Sequence, residues 1–465
     1  MTVNSVESLG SICFNGTQRM AKALYQMNMS IFRKVMATLL IFSLAFASVH
    51  SKAMGLAWVA IVLTALGLGS FYFSQTRNKA ASIWACAWLK VTCAVLLLKT
   101  IPMLYWADPW AARHGELRLI LGALGIYIIA RSGLFNEMRF RLKIGYVLTW
   151  SSVIGLIWVI VYGRGGLPSH PIPWAASMAM VSALLLAMAL KSDAGLMHRR
   201  IWFTGGICAV LAVLTSQSRG AFGIVVWWLL VCGVDLYRKF TAQTDFQAAA
   251  LKRMLRHFFI ALLALVSFCW ALSYTPIAQR PLSSIQAGID ELLISRESAI
   301  KGANSSVGAR IFMWEKSIQA IKESPWIGHG QTGRKQLISD WAEEADSTEI
   351  RRLSHVHNEF LNQWIDHGLW GLASQLWLLI GLMWICRKLY TAKEHMAALG
   401  LSGMAFIHLT ASLSNVNFGH DYYTACFSTL VGLCILMIKA KEFWHAPALP
   451  TPPTPTPANP TKLWP

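Results

Sequence analysis

Apolar residues along this chain gather in blocks of roughly 17 to 22 positions, with short basic stretches between them, and a helix of about 20 residues crosses about 30 Å of hydrocarbon. The blocks fall near 36–50, 54–73, 81–98, 117–131, 144–162, 173–190, 201–217, 220–236, 257–274, 369–387, 396–413 and 421–439. They predict an all-α polytopic membrane protein of about 12 transmembrane helices. One connection is far longer than the others, and it divides the chain into a segment 1–35, nine spans over 36–274, a loop 275–368, three spans over 369–439 and a tail 440–465. Within that loop, Ile311-Phe-Met-Trp-Glu-Lys-Ser-Ile spaces its apolar positions as a helix does, so the loop is expected to be partly helical, with short amphipathic helices lying over the membrane.

Composition agrees: 55% of the 465 residues are hydrophobic, 14% are charged, and 21 are Trp. Soluble and secreted classes are excluded. The net charge of +19 would suit nucleic acid if it were clustered, but 24 of the 41 Lys and Arg lie in the N-terminal segment, in alternate loops and in the tail. That alternation is the positive-inside pattern: it puts both termini in the cytoplasm, makes the number of spans even and leaves no role for nucleic acid. By the same parity the loop 275–368 is periplasmic. It carries 12 acidic against 10 basic residues, the reverse of the rest of the chain. The nine Cys have no metal-ligand spacing, and eight sit in or beside apolar blocks, as buried structural thiols do. Met20 is a second candidate start, no cleavable signal precedes the first block, and the Pro- and Thr-rich tail from Ala446 reads as disordered.

Three places carry chemistry. Where the loop re-enters the membrane, Ser354-His-Val-His-Asn-Glu359 places His357 near the polar mouth. A neutral imidazole there either serves as a general base or is an interfacial His without a catalytic role. Arg219, in Ser216-Gln-Ser-Arg-Gly-Ala221, is squeezed between two apolar blocks, where a cation needs an anionic partner or a polar cavity; snorkelling to headgroups is the bland reading. Arg310, opening an amphipathic stretch, either faces the same cavity as a bidentate phosphate clamp or makes an internal salt bridge. No nucleotide-binding loop, HExxH or carboxylate cluster appears.

Ser218-Arg219-Gly220, then Arg310 with Trp314 and Pro325-Trp-Ile-Gly-His-Gly330, then His357-Asn358 with Leu361, Gly368 and Gly371 resemble, in order, the O-antigen ligase and polymerase superfamily of bacterial membrane glycosyltransferases. Within it the chain is most similar to the O-antigen ligases of Gram-negative inner membranes. The resemblance implies metal-independent, inverting transfer of a preassembled glycan from undecaprenyl pyrophosphate to a sugar hydroxyl of lipid A core. It would occur on the periplasmic side, with no cofactor. It implies that Arg219 and Arg310 bind the pyrophosphate and that His357 deprotonates the acceptor hydroxyl. Asn358 either orients that ring or caps a helix. Arg164, in Tyr162-Gly-Arg-Gly-Gly, is either a third phosphate contact or a loop charge. His355, His329, His420 and Asp421 are read as structural. Two alternatives stay within the superfamily, a polysaccharide polymerase and a protein O-oligosaccharyltransferase. A third, a lipid-linked glycan flippase or transporter, lies outside it.

Overall fold

The computed structural model describes residues 27, 30–69, 79–107, 114–132, 138–241 and 303–438. Among these residues there are helices and connections but no strand. The expected ninth span at 257–274, the start of the long loop, most of the N-terminal segment and the tail lie outside them.

The bundle consists of α1 (30–45), α2 (Ser51–Gly69), α3 (Lys79–Trp106), α4 (His114–Ser132), α5 (Met138–Tyr162), α6 (Pro171–Lys191), α7 (Leu196–Thr215) and α8 (Gly223–Thr241). Three further helices, described below as α12, α13 and α14, complete it. Helix α6 is its axis. Ala, Met, Leu and Ser line it on every side, all residues from Ile172 to Ala189 are buried, and a helix apolar all round belongs in a core. Proline at its first position, Pro171, starts it where a missing N–H costs nothing. Small residues let its neighbours approach: a Cβ on Gly403 would stand 2.6 Å from that of Ala183. Polar groups inside are paired between helices, as where Trp228 Nε1 donates to Ser182 Oγ at 3.0 Å and that hydroxyl donates to the Gly206 carbonyl at 2.8 Å.

The outer helices expose large apolar side chains such as Leu63, Ile83, Leu97, Ile157, Ile160 and Ile380, the surface that a lipid phase covers. Four helices are long and apolar enough to span a membrane, at Ala80–Trp106, Met138–Tyr162, Pro171–Lys191 and Glu359–Thr391; the others pack among them. The chain is thus a helical membrane protein. Among the described residues Cys86, Cys93, Cys208, Cys386, Cys426 and Cys434, all on helices of the bundle, are free thiols.

Helix α3 outruns its apolar block of 81–98, continuing through Lys99 and Pro102 to Trp106. The charge that seems to end the block is neutralised, because buried Lys99 is ion-paired with Glu116 at the start of α4. Pro102 withholds a hydrogen bond only near the final turn.

Residues 303–358 form a small helical unit with its own core. Helices α9 (Gly308–Glu323), α10 (Gly330–Glu344) and α11 (Thr348–Arg351) enclose Phe312, Met313, Ile338, Trp341, Ile350 and Ile365. The amphipathic helix expected near Ile311 is present. Its apolar residues Phe312, Met313, Ala320 and Ile321 are buried within the unit, where they exclude water against partners of matching shape.

The unit joins the bundle through α12 (Glu359–Thr391), which is followed by α13 (His395–Ser412) and α14 (Asp421–Leu436). Helix α12 is broken at Gly368, whose φ of 59° and ψ of −152° are not helical. The Pro325-Trp-Ile-Gly-His-Gly330 turn fills the break. The N–H of Leu369 donates to the Pro325 carbonyl at 2.8 Å, and that of His329 to the Ile365 carbonyl at 2.7 Å. His329 further binds the Ala320 carbonyl through Nε2, at 2.8 Å. His329 thus works as a structural brace, and the glycine-rich turn as a splice.

A side chain at Gly368 would meet the Trp326 carbonyl carbon at 2.2 Å, on a backbone that L residues rarely adopt. Overpacking and positive φ each cost on the order of 1–3 kcal/mol. Gly368→Ala should therefore lower the thermal midpoint of the detergent-solubilised protein by several degrees. Gly55→Ala, with nothing within 4 Å of the new methyl, should leave it unchanged. Equal midpoints for the two variants would show that the break does not hold the unit in place.

Candidate active site

Five connections converge at the end of the bundle that carries the 303–358 unit. After α5, the Gly-rich turn presents Arg164, whose Nη1 donates to the Gln217 carbonyl at 2.9 Å. That contact braces the tight 3-10 turn Arg219–Ala221 between α7 and α8. Gln217 is held at φ 57°, and the Ser218 hydroxyl donates to the Pro171 carbonyl at 3.0 Å. Gly220 is needed because a Cβ there would lie 2.1 Å from Ser414 Oγ. Arg310 enters from the first turn of α9. His170 and His420, at the starts of α6 and α14, stack with ring centroids 5.4 Å apart.

His357 lies just ahead of the helix that re-enters the bundle. Helix α12 starts at Glu359, and Asn358 is its N-cap, accepting the Leu361 N–H at 3.1 Å while its Nδ2 donates to the Leu413 carbonyl at 3.3 Å. Of the two roles open to Asn358, the structure displays the cap. The His357 backbone has φ 53°, and strain of this kind persists only where surroundings enforce it. Two neighbours do so: His357 N–H donates to His355 Nδ1 at 3.3 Å, and Trp314 Nε1 fixes the Val356 carbonyl at 2.8 Å. The two imidazoles touch edge to face at 4.4 Å, so His355 is no bystander but helps to position His357.

The amide beside the His357 ring belongs to Asn415. Nδ1 of His357 and Oδ1 of Asn415 are both buried without a hydrogen bond of ordinary geometry, and Asn415 is the neighbour that favours the protonated ring. Asn415 escaped the sequence reading, although a polar Ser414-Asn-Val-Asn417 run between two apolar blocks is a signal of buried polar work. His170 escaped it as well, and nothing in its Pro-flanked surroundings distinguishes it.

Positive charge is concentrated here. Burial, then Arg219 and Arg164, lower the Arg310 pKa, with Glu349 opposing; burial and Arg219 lower that of Arg164. Guanidinium groups so placed remain cationic at physiological pH. Burial foremost, and then Arg310, His170 and His420, push His357 down to about 3. His420 is pushed to about 4, mainly by burial and then by His170, and His355 is lowered by burial and by His357. At neutral pH the site thus presents three fixed cations around neutral imidazoles, an arrangement chemically able to receive an anion beside a proton acceptor. Among the described residues no group of three His, Cys, Asp or Glu side chains is disposed to hold a metal ion.

Residues 204–376 match the O-antigen ligase family. This is a little over a third of the chain, and it contains Arg219, Arg310 and His357 but not Arg164, Asn415 or His420. It supports the resemblance to the O-antigen ligase superfamily. A Haemophilus influenzae protein described as uncharacterized is 25% identical over 219 residues, 45% of this chain and 49% of its own length. The chain thus spans about half the length of this curated relative.

A histidine whose folded pKa lies below its unfolded value resists protonation, so its stabilising effect is complete above about pH 6.5 and is lost as pH falls towards the folded pKa. For His357 this amounts to about 1 kcal/mol by pH 5.5. The thermal midpoint in detergent should therefore drop between pH 7.5 and 5.5, and His357→Gln should drop less. Inorganic pyrophosphate should reduce the loss for the unaltered protein by favouring the imidazolium. A midpoint that ignores pH over this window would show that these rings are solvated.

Proposed function

We propose that the protein is an O-antigen ligase of a Gram-negative inner membrane. It moves a preassembled glycan from undecaprenyl pyrophosphate to a sugar hydroxyl of lipid A core on the periplasmic side, with both termini cytoplasmic. The observation that carries this reading is the juxtaposition of Arg164, Arg219 and Arg310 with the neutral ring of His357. Guanidinium groups bind phosphate oxygens in pairs, and the charge that develops on a departing pyrophosphate is offset by cations already in place.

In the reaction, the acceptor hydroxyl oxygen attacks the anomeric carbon from the face opposite the pyrophosphate. The carbon–oxygen bond to phosphorus breaks with its electron pair on the pyrophosphate, which inverts the anomeric centre. The hydroxyl proton passes to His357. With Nδ1 buried in the protein, Nε2 is the nitrogen that receives it, and His355 and Asn415 are positioning residues for this ring. The leaving group is activated before it arrives, so neither a nucleotide nor a metal is required.

A polysaccharide polymerase or a protein O-oligosaccharyltransferase would share this chemistry and differ in the acceptor. Transfer to purified lipid A core, with none to lipid-linked repeat units or to protein, distinguishes the ligase. A flippase would place its charged groups near mid-membrane, whereas these lie at one end of the bundle.

Arg219→Lys and Arg310→Lys keep the charge but lose the planar fork, and each should lose most transfer while the protein remains folded. His357→Ala should abolish transfer and retain donor binding, whereas His395→Ala, at the opposite end of the bundle, should be fully active. Normal rates in both Lys variants would reduce these arginines to structural charges. Transfer should continue in EDTA, and a strict divalent-ion requirement would overturn the metal-free scheme.

A further inference from the structure

A second cavity, of about 310 Å³, opens beside the His355–His357 pair, between α10, the start of α12 and the 415–419 connection. Its size is at the lower end of small-ligand pockets. Its charges differ from those of the arginine cluster. Arg334 is buried and ion-paired with Asp366 at 2.8 Å, and it also donates to Asn362 Oδ1 at 2.7 Å and to the Ser354 carbonyl at 3.0 Å. Glu116 and Lys335 add one charge of each sign to the lining, so the cavity is balanced where the cluster is strongly positive. Phe418 supplies an apolar wall.

One polar atom in the lining is unsatisfied. Gln363 is 7% exposed; its Nε2 donates to Glu359 Oε1 at 2.9 Å, while its Oε1 is buried without a hydrogen bond. A buried amide oxygen left without a donor costs on the order of 1–3 kcal/mol, and a ligand hydroxyl removes that cost. His355 marks the boundary between the two sites: it senses Arg334 across the cavity, whereas His357 senses Arg310.

We propose that this cavity binds a neutral sugar ring of the acceptor glycan. The Gln363 amide and the Arg334–Asp366–Asn362 network would receive its hydroxyls, Phe418 would cover one face, and the bound ring would sit one imidazole away from His357. The assignment of the ring to the acceptor rests on the glycosyl-transfer reading; the sugar site itself does not.

The test uses the full chain in detergent and, as probe, the core oligosaccharide released from lipid A core by mild acid, with saturation-transfer NMR as readout. Gly419 stands at the cavity, and a Cβ built on it meets nothing nearer than Val416 Cγ1 at 3.6 Å; Gly419→Phe therefore fills the space without a backbone clash. We expect the unaltered protein to bind the probe, Gly419→Phe to lose that binding, and Lys335→Ala to weaken it about fivefold, the effect of one lost hydrogen bond. Arg219→Lys should bind normally, and inorganic pyrophosphate should not displace the probe. In transfer assays Lys335→Ala should raise KM for the acceptor and leave that for the donor unchanged. Absent binding, displacement by pyrophosphate, or full affinity in Gly419→Phe would each overturn the proposal. Probe binding at the cavity without transfer from a lipid pyrophosphate would refute the ligase reading and leave the sugar site standing.

Discussion

The backbone hydrogen bonds freed at Gly368 govern how the two parts of this protein meet. A helix that stops inside a membrane protein leaves N–H and C=O groups that lipid cannot satisfy, at several kcal/mol each. Here the freed groups at Ile365 and Leu369 bond to the turn at 325–330, so the 303–358 unit is spliced into the backbone of a bundle helix. Trp106 at the end of α3 extends the splice, its indole donating to the Ile327 carbonyl at 3.3 Å. Arg310 and His357 approach Arg219 because the unit that carries them is held by main-chain bonds, which restrict direction more tightly than side-chain packing does.

That rigidity is required because the site itself is electrostatically unfavourable. Burial opposes charge on these groups first of all, and neighbouring cations oppose it further: the pKa values of Arg310 and His357 are depressed by burial and then by guanidinium groups beside them. Positive φ at Gln217 and His357 adds strain at the same place. Such a constellation persists only where the scaffold over-determines it. The neighbouring cavity follows the opposite rule: its Arg334 is neutralised by Asp366, so on the sugar-site proposal it would select hydroxyls rather than charge.

How much of this was legible in the sequence depended on the range of each interaction. Period and block length announced the helices, because burial in lipid or core acts on every residue of a segment alike. Arg219 was legible because an arginine in a two-residue gap between apolar blocks has few explanations. The run through Pro102 was not, since its permission comes from Glu116 on another helix. The amphipathic stretch at 311 gave its helix but not its neighbour, because an apolar face is the same whether lipid or Trp341 covers it. Asn358 and Asn415 show the limit most plainly. Adjacency to His357 left Asn358 either the ring's partner or a helix cap; its side chain turns to the helix end, and the amide next to the ring comes from 58 positions further along the chain.

A base depressed to about 3 looks too weak to deprotonate a hydroxyl, and the proposed donor resolves this. A unit negative charge about 5 Å from the ring, at an effective dielectric of about 20, is worth about 3 kcal/mol, or roughly two pKa units. A pyrophosphate lying on Arg164, Arg219 and Arg310 carries at least that charge and also cancels the cations that depress the ring. Its arrival would therefore raise His357 by about that amount, leaving the part of the depression that burial causes. On the proposed reaction, basicity would rise while the leaving group is bound, so an acceptor in the adjacent cavity would meet a strengthened base and an activated carbon together. The cationic crowding around His357 would thus couple proton transfer to donor binding without a moving part.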